Sequence, residues 1–372
     1  MKKFIAFLVL FLLTGLSVFA ENETNVLPSQ LGVVQSVEYV DLTDNPEISQ
    51  VKQTAKIKLI KGELKGNLVK VDNVLTGNPY YDIKLKKGCK VILHVEDDGD
   101  GLIFSVEDIH RSEVLIWLSL LFCGLLIYVG KMKGFYSLVS ILITCILIFN
   151  LLSPMILWGI NPIFGALLIS LLSTAVTMYL VGGFNRKSTS AVLGCLLSLI
   201  TAGVLSFITV KVASLNGFVN ENSMFLFSAH PELDFIGLVV ATMILATLGA
   251  VMDVAMSIAS TINEIYTIDN TKSIKELFTS GMNVGRDVIG TMANTLILVY
   301  LGGALPLLLL ASNIDLQKFI NLNQVVTEIS SALIGSCAIV ICVPLTAIVA
   351  SRLVRHKQNK PETTLETDIT RI

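Results

Sequence analysis

The sequence predicts a polytopic α-helical membrane protein of about seven transmembrane helices, preceded by a small extracytoplasmic β-barrel or β-sandwich domain. Three observations predict it. The 372 residues are 53% hydrophobic and only 15% charged, with a mean hydropathy of +0.73, too apolar for an ordinary soluble chain. The charges are uneven: residues 21 to 113 carry 16 acidic and 11 basic side chains, whereas the longer stretch from 114 to 351 carries only 10 and 9. That second stretch also divides into apolar runs of membrane-spanning length. The apolar composition makes the lipid bilayer the expected partner, and a formal net charge of −2 without a large basic block argues against nucleic acid.

The chain begins with Lys2 and Lys3, continues apolar from Phe4 to Leu13, and reaches Val18-Phe19-Ala20 before the polar Glu21-Asn22-Glu23. Residues 1 to 20 read as a bacterial-type signal peptide cleaved after Ala20, or as an uncleaved signal anchor. In both cases residue 21 onward crosses the membrane. Residues 21 to 113 then form an exported β-domain. Six short β-type runs (33 to 40, 55 to 60, 67 to 71, 80 to 83, 90 to 95 and 102 to 106) are separated by turn signals such as Lys65-Gly66 and Thr76-Gly77-Asn78-Pro79. Lys56-Ile57-Lys58-Leu59 and Leu68-Val69-Lys70-Val71 alternate with the period of a sheet wet on one face. The cluster Glu96-Asp97-Asp98-Gly99-Asp100 lacks the spacing of a calcium loop and reads as a solvated hairpin tip. With no catalytic constellation, this domain is expected to sense, dock a protein partner or regulate.

Seven apolar stretches follow, at approximately 114 to 130, 134 to 153, 162 to 182, 189 to 210, 235 to 258, 287 to 311 and 326 to 351. With the β-domain outside, 11 basic residues, among them Lys131, Lys133, Arg186, Lys187, Lys272, Arg352 and Arg355, fall on the cytoplasmic side. Only Lys211 and Lys318 fall outside. The expected localisation is therefore the cell membrane, multi-pass, with a polar, disordered cytoplasmic tail from 352 to 372. Five of the six cysteines lie in apolar stretches and Cys89 is alone in the exported part, and neither they nor the four histidines make a metal spacing. No metal, cofactor or enzymatic activity is expected, and the sequence leaves the oligomeric state open.

The informative polar residues lie on the fifth and sixth stretches. Asp253, Ser257, Ser260 and Glu264 are spaced 4, 3 and 4, and Asn283, Asp287, Gly290 and Asn294 repeat that spacing, with Arg286 adjacent. Each set occupies one helix face. A charged Asp at mid-span costs about 2.5 to 3.5 kcal/mol on insertion scales, so Asp253 needs a reason to be there. Two readings stand side by side. In one, the stripes line a path for an ion or solute; in the other, Arg286 pairs with Asp253, Asp287 or Glu264 and fastens two helices. Ser170, Ser173, Thr174 and Thr177 read as helix packing, and Glu328 as an interfacial residue.

The strings Leu248-Gly249-Ala250-Val251-Met252-Asp253-Val254-Ala255-Met256-Ser257, Asn263-Glu264, Gly281-Met282-Asn283-Val284-Gly285-Arg286-Asp287 and Asn294-Thr295-Leu296 resemble the YibE/F-like family of bacterial multi-spanning membrane proteins. The resemblance covers the membrane part and extends to the exported domain; it implies the architecture without supplying a reaction. The first functional expectation is a transporter of a small ion or solute, with its polar site on the fifth and sixth stretches. The alternative is a non-transporting scaffold or sensor whose exported domain binds a partner. An intramembrane aspartyl protease is disfavoured because Gly285-Arg286-Asp287 is not a GxGD signature, and nucleotide-driven transport because no GxxxxGK[ST] loop occurs.

Overall fold

The computed structural model describes residues 27–41, 51–62, 64–97 and 101–355. The signal segment, residues 98 to 100 of the acidic turn and the tail beyond Arg355 lie outside the described residues. The chain divides into two compact units, with the division between Leu126 and Ile127, and each is described by itself.

The first unit is built on one antiparallel sheet of β1 (Leu27–Asp41), β2 (Val51–Lys61), β3 (Leu68–Leu75), β4 (Lys90–Asp97) and β5 (Leu102–Ile109), in the order β3-β2-β1-β4-β5. The long β1 pairs with β2 over residues 31 to 41 and with β4 over 27 to 33. The edge strands β3 and β5 approach each other, so the sheet curls into a nearly closed barrel rather than a sandwich. The alternation seen in the sequence is realised on β2: Gln53, Ala55, Ile57 and Leu59 point inward and are buried, while Lys56 and Lys58 face water.

Residues 80 to 83, expected as a strand, are not one. The Asp82 carboxylate accepts from the backbone N–H groups of Thr76 (2.7 Å) and Gly77 (2.8 Å), and Asn78 Oδ1 accepts from Tyr80 N, which folds the segment on itself. Its inner end is held by an amide instead of a strand. Buried Gln53 accepts from Leu85 N at 3.0 Å and donates to Leu85 O at 3.3 Å, while Asn73 donates to Ile83 O at 2.7 Å. Leu85 thereby reaches the barrel core with its backbone satisfied.

In the rest of the chain the helices are α1 (Ser112–Leu147), α2 (Ser153–Leu157), α3 (Pro162–Gly182), α4 (Arg186–Val212), α5 (Glu221–Ala229), α6 (Phe235–Ile268), α7 (Ile274–Gly303), α8 (Leu305–Leu310), α9 (Leu316–Ile320) and α10 (Asn323–Arg355). Six candidate membrane spans result, because the first two apolar stretches join into one run, Ser112–Leu157. That run is not one straight helix: Lys131 has φ 50° and ψ −131°, a conformation no helix interior tolerates. A π-helical turn, Ile148–Leu152, precedes Pro154, whose ring cannot continue the regular ladder.

Local signals set the other boundaries. Asn161, Asn185 and Asp234 cap α3, α4 and α6 with their side-chain oxygens. Ser273 and Glu276 form a capping box that starts α7 well before residue 287, where apolarity alone would begin it. At its other end α7 stops at the Gly302-Gly303 pair, and Pro306 opens a separate short helix. The core gathers α4, α6, α7 and α10 around fully buried Leu199, Ile244, Ile258, Ile262 and Ile339. The hydroxyls on α3 are packing groups: Ser173 meets Thr144 at 2.7 Å and Thr177 meets Ser140 at 2.6 Å.

Candidate functional site

The α6 stripe is one continuous face. Thr242, Ala246, Gly249, Asp253, Ser257 and Glu264 are exposed, while the intervening Val251, Val254, Ala255, Ile258 and Ile262 are buried in the core. The hydroxyls back-bond along the helix, Ser257 Oγ to Asp253 O at 2.8 Å and Thr261 Oγ1 to Ser257 O at 2.9 Å, so their lone pairs face outward.

The α7 stripe is also exposed at Asn283, Arg286, Asp287, Gly290 and Asn294. α6 and α7 do pack together, but beside the stripes: a Cβ on Gly281 would stand 2.6 Å from Ile262 Cδ1. Among the described residues no hydrogen bond or ion pair joins the two polar sets. Arg286 donates to Asn283 Oδ1 at 3.4 Å and makes no salt bridge with Asp253, Asp287 or Glu264. The carboxylates of all three acids are likewise without a hydrogen-bonding partner among the described residues. Gly249 and Gly290 face open space, whereas Gly285 is closed over by Val343 of α10.

A second polar locus lies where α6 starts, α7 ends and α10 starts, and sequence reasoning missed it. A cavity of about 260 Å3 is lined there by Thr242 and Ala246 of α6, Tyr300 of α7, and Thr327, Glu328 and Ser331 of α10, with Asn220 and Ser223 from the start of α5. Phe218, Phe227 and Phe235 form an aromatic cluster at the same end of the unit. Glu328 and Tyr300 also line an adjoining apolar cavity of about 210 Å3. The Tyr300 hydroxyl is buried and meets no hydrogen-bond partner among the described residues; the Ser331 hydroxyl is committed to Thr327 O at 2.8 Å. Nothing local in the sequence distinguishes Glu328 from an interfacial carboxylate. The one available signal was Thr327 and Ser331 flanking it at helical spacing.

Among the described residues no group of three His, Cys, Asp or Glu side chains is placed to hold a metal ion. A model of the YibE/F-like protein family matches residues 118–356, and a model of the YibE/F family N-terminal domain matches residues 29–109. No curated protein and no solved structure matches the chain. The two matches cover both compact units and nearly all of the sequence: the chain is a membrane protein and belongs to the YibE/F-like family.

Proposed function

We propose that the protein is a non-enzymatic transporter of a small ion or solute whose path follows the polar faces of α6 and α7. The observation that carries this reading is Asp253. It stands exposed in the middle of a predominantly apolar span, and among the described residues no counter-ion pairs with it. Ser257 and Glu264 extend the oxygen-bearing surface from Asp253 toward the α6–α7 loop, Asn283, Asp287 and Asn294 carry it back along α7, and Arg286 sits beside Asp287 as a charge that tunes it.

The proposed topology has seven crossings, with the N-terminal domain outside and the C-terminus cytoplasmic. The run Ser112–Leu157 has 46 residues, about 69 Å of helix at 1.5 Å per residue, more than twice a hydrocarbon core of about 30 Å. The break at Lys131 falls beside Lys133, where the positive-inside rule favours a cytoplasmic turn.

The test is flux of candidate ions into proteoliposomes. Asp253→Asn is expected to abolish pH-dependent flux while leaving the amount of folded protein unchanged. Wild-type vesicles that pass none of the tested ions, together with a variant destabilised in detergent, would reject the path.

A second reading, a non-transporting scaffold whose N-terminal domain docks a protein, is favoured by one feature. Tyr80 and Tyr81, 76% and 69% exposed, form an edge-to-face pair at the tip of the segment between β3 and β4. Such amphipathic rings are common anchors at protein interfaces. Crosslinking from this tip to a partner, combined with absence of flux, would favour it.

A further inference from the structure

The cavity between α6, α7 and α10 has an unusual chemical bias. Its serine and threonine hydroxyls are spent as donors. Thr242 Oγ1 donates to Leu238 O at 2.9 Å, Thr327 Oγ1 to Asn323 O at 2.8 Å, Ser331 Oγ to Thr327 O at 2.8 Å and Ser223 Oγ to Asn220 Oδ1 at 3.1 Å. What these oxygens have left is lone pairs. The lining includes one carboxylate, Glu328, and no Lys, Arg or His. Among the described residues Glu328 has no hydrogen-bond or ion-pair partner. A half-buried carboxylate at a helix-walled cavity, lined mostly by acceptors and lacking a counter-ion among the described residues, is incomplete, because a charge partly withdrawn from water requires compensation.

We propose that this cavity is a binding site for a small monovalent cation, with Glu328 as counter-ion and the hydroxyl oxygens of Thr242 and Ser331 as neutral ligands. One carboxylate matches one positive charge, whereas divalent calcium is ordinarily held by several carboxylates. A volume of about 260 Å3 exceeds that of a bare ion and leaves room for several waters. The occupant is therefore an inorganic cation keeping part of its hydration shell, or a protonated primary amine of a few heavy atoms. The Tyr300 hydroxyl, buried and without a hydrogen-bond partner among the described residues, adds a donor beside the Asn220 amide, suited to a water of the ion's shell or to Glu328 itself. The site heads the same α6 face that carries Asp253, yet it stands apart from the transport reading, since binding is measured without flux.

The test uses the full chain in detergent. Its melting temperature is followed while NaCl, KCl or methylammonium chloride replaces N-methyl-D-glucamine chloride at constant ionic strength. A saturable rise is expected with at least one of the three, since a ligand bound only to the folded state stabilises it. The inorganic and amine arms distinguish the two kinds of occupant. Glu328→Gln is expected to remove the rise, and Asp253→Asn to leave it intact even where flux is lost. Thr242→Val keeps the shape, removes one ligand oxygen and should weaken apparent affinity about tenfold; it serves as the deciding variant if Glu328→Gln does not fold. No saturable rise in the wild type, a rise that survives Glu328→Gln, or unchanged affinity in Thr242→Val overturns the proposal.

Discussion

Gly194 of α4 lies directly beneath Thr346 of α10. A Cβ at residue 194 would stand 2.8 Å from Thr346 Cα and closer still to its Oγ1. The two helices meet backbone to backbone at this point, as small residues allow in membrane bundles. Gly194→Ala is therefore expected to destabilise the protein by about 1 to 3 kcal/mol through overpacking. Gly249→Ala and Gly290→Ala, which add a methyl to open space, should stay within about 0.5 kcal/mol of wild type. Thermal unfolding of the three variants in one detergent separates these outcomes.

Gln53 does for residue 85 what a strand would otherwise do. Replacing it with Leu removes the acceptor of Leu85 N and leaves Leu85 O only the longer bond from the Tyr39 hydroxyl at 3.5 Å, so the buried N–H goes unsatisfied at a cost of about 1 to 3 kcal/mol. Amide hydrogen exchange in the full chain should show Leu85 losing its protection in Gln53→Leu, with the central β1–β2 pairing less affected.

Asp82 gives a pH dependence with a defined sign. Hydrogen bonds from Thr76 and Gly77 hold its carboxyl below the usual carboxylate range, chiefly through the Thr76 N–H. A carboxyl lowered in the folded state contributes its stabilisation above the unfolded value of about 3.9, and that contribution disappears as pH falls through the lower folded value. The Thr76 and Gly77 amides are accordingly expected to gain exchange on acidification below about pH 4. In Asp82→Asn they should be less protected at neutral pH and should lack the acid step.

Topology is checked by labelling single cysteines placed in exposed connections, in a background without the native thiols. An impermeant maleimide should reach residue 214 only from outside and residue 271 only from the cytoplasmic side. Residue 214 reached from the cytoplasmic side and residue 271 from outside would contradict the seven-crossing arrangement, and labelling of both from one face would contradict a spanning α6.

The parts of the fold that depend on neighbours along the chain were legible. Alternation at residues 56 to 59 gives the strand and its inner face, and the apolar runs give the helices. The run at residues 80 to 83 misleads because its tyrosines and isoleucine suit a strand, while Asp82 and Asn78 offer the backbone a tighter local alternative. The start of α7 was obscured because its first turns are polar and its signal is the Ser273–Glu276 cap. The exposed stripes on α6 and α7 were visible as spacing. The cavity at Glu328 was not, because its oxygens come from helices far apart in sequence and the saturation of each hydroxyl is a matter of rotamer.

The segment between β3 and β4 is fastened at both ends. Asp82 clasps residues 76 and 77 on one side, and Gln53 and Asn73 grip residues 83 to 85 on the other. Between these two clasps residues 78 to 82 belong to no strand of the sheet, so the stretch is expected to act as a cassette clipped onto the barrel at its two ends. A short epitope or a fluorophore site grafted between the clasps, with Asn78 and Asp82 kept, should leave the domain folded.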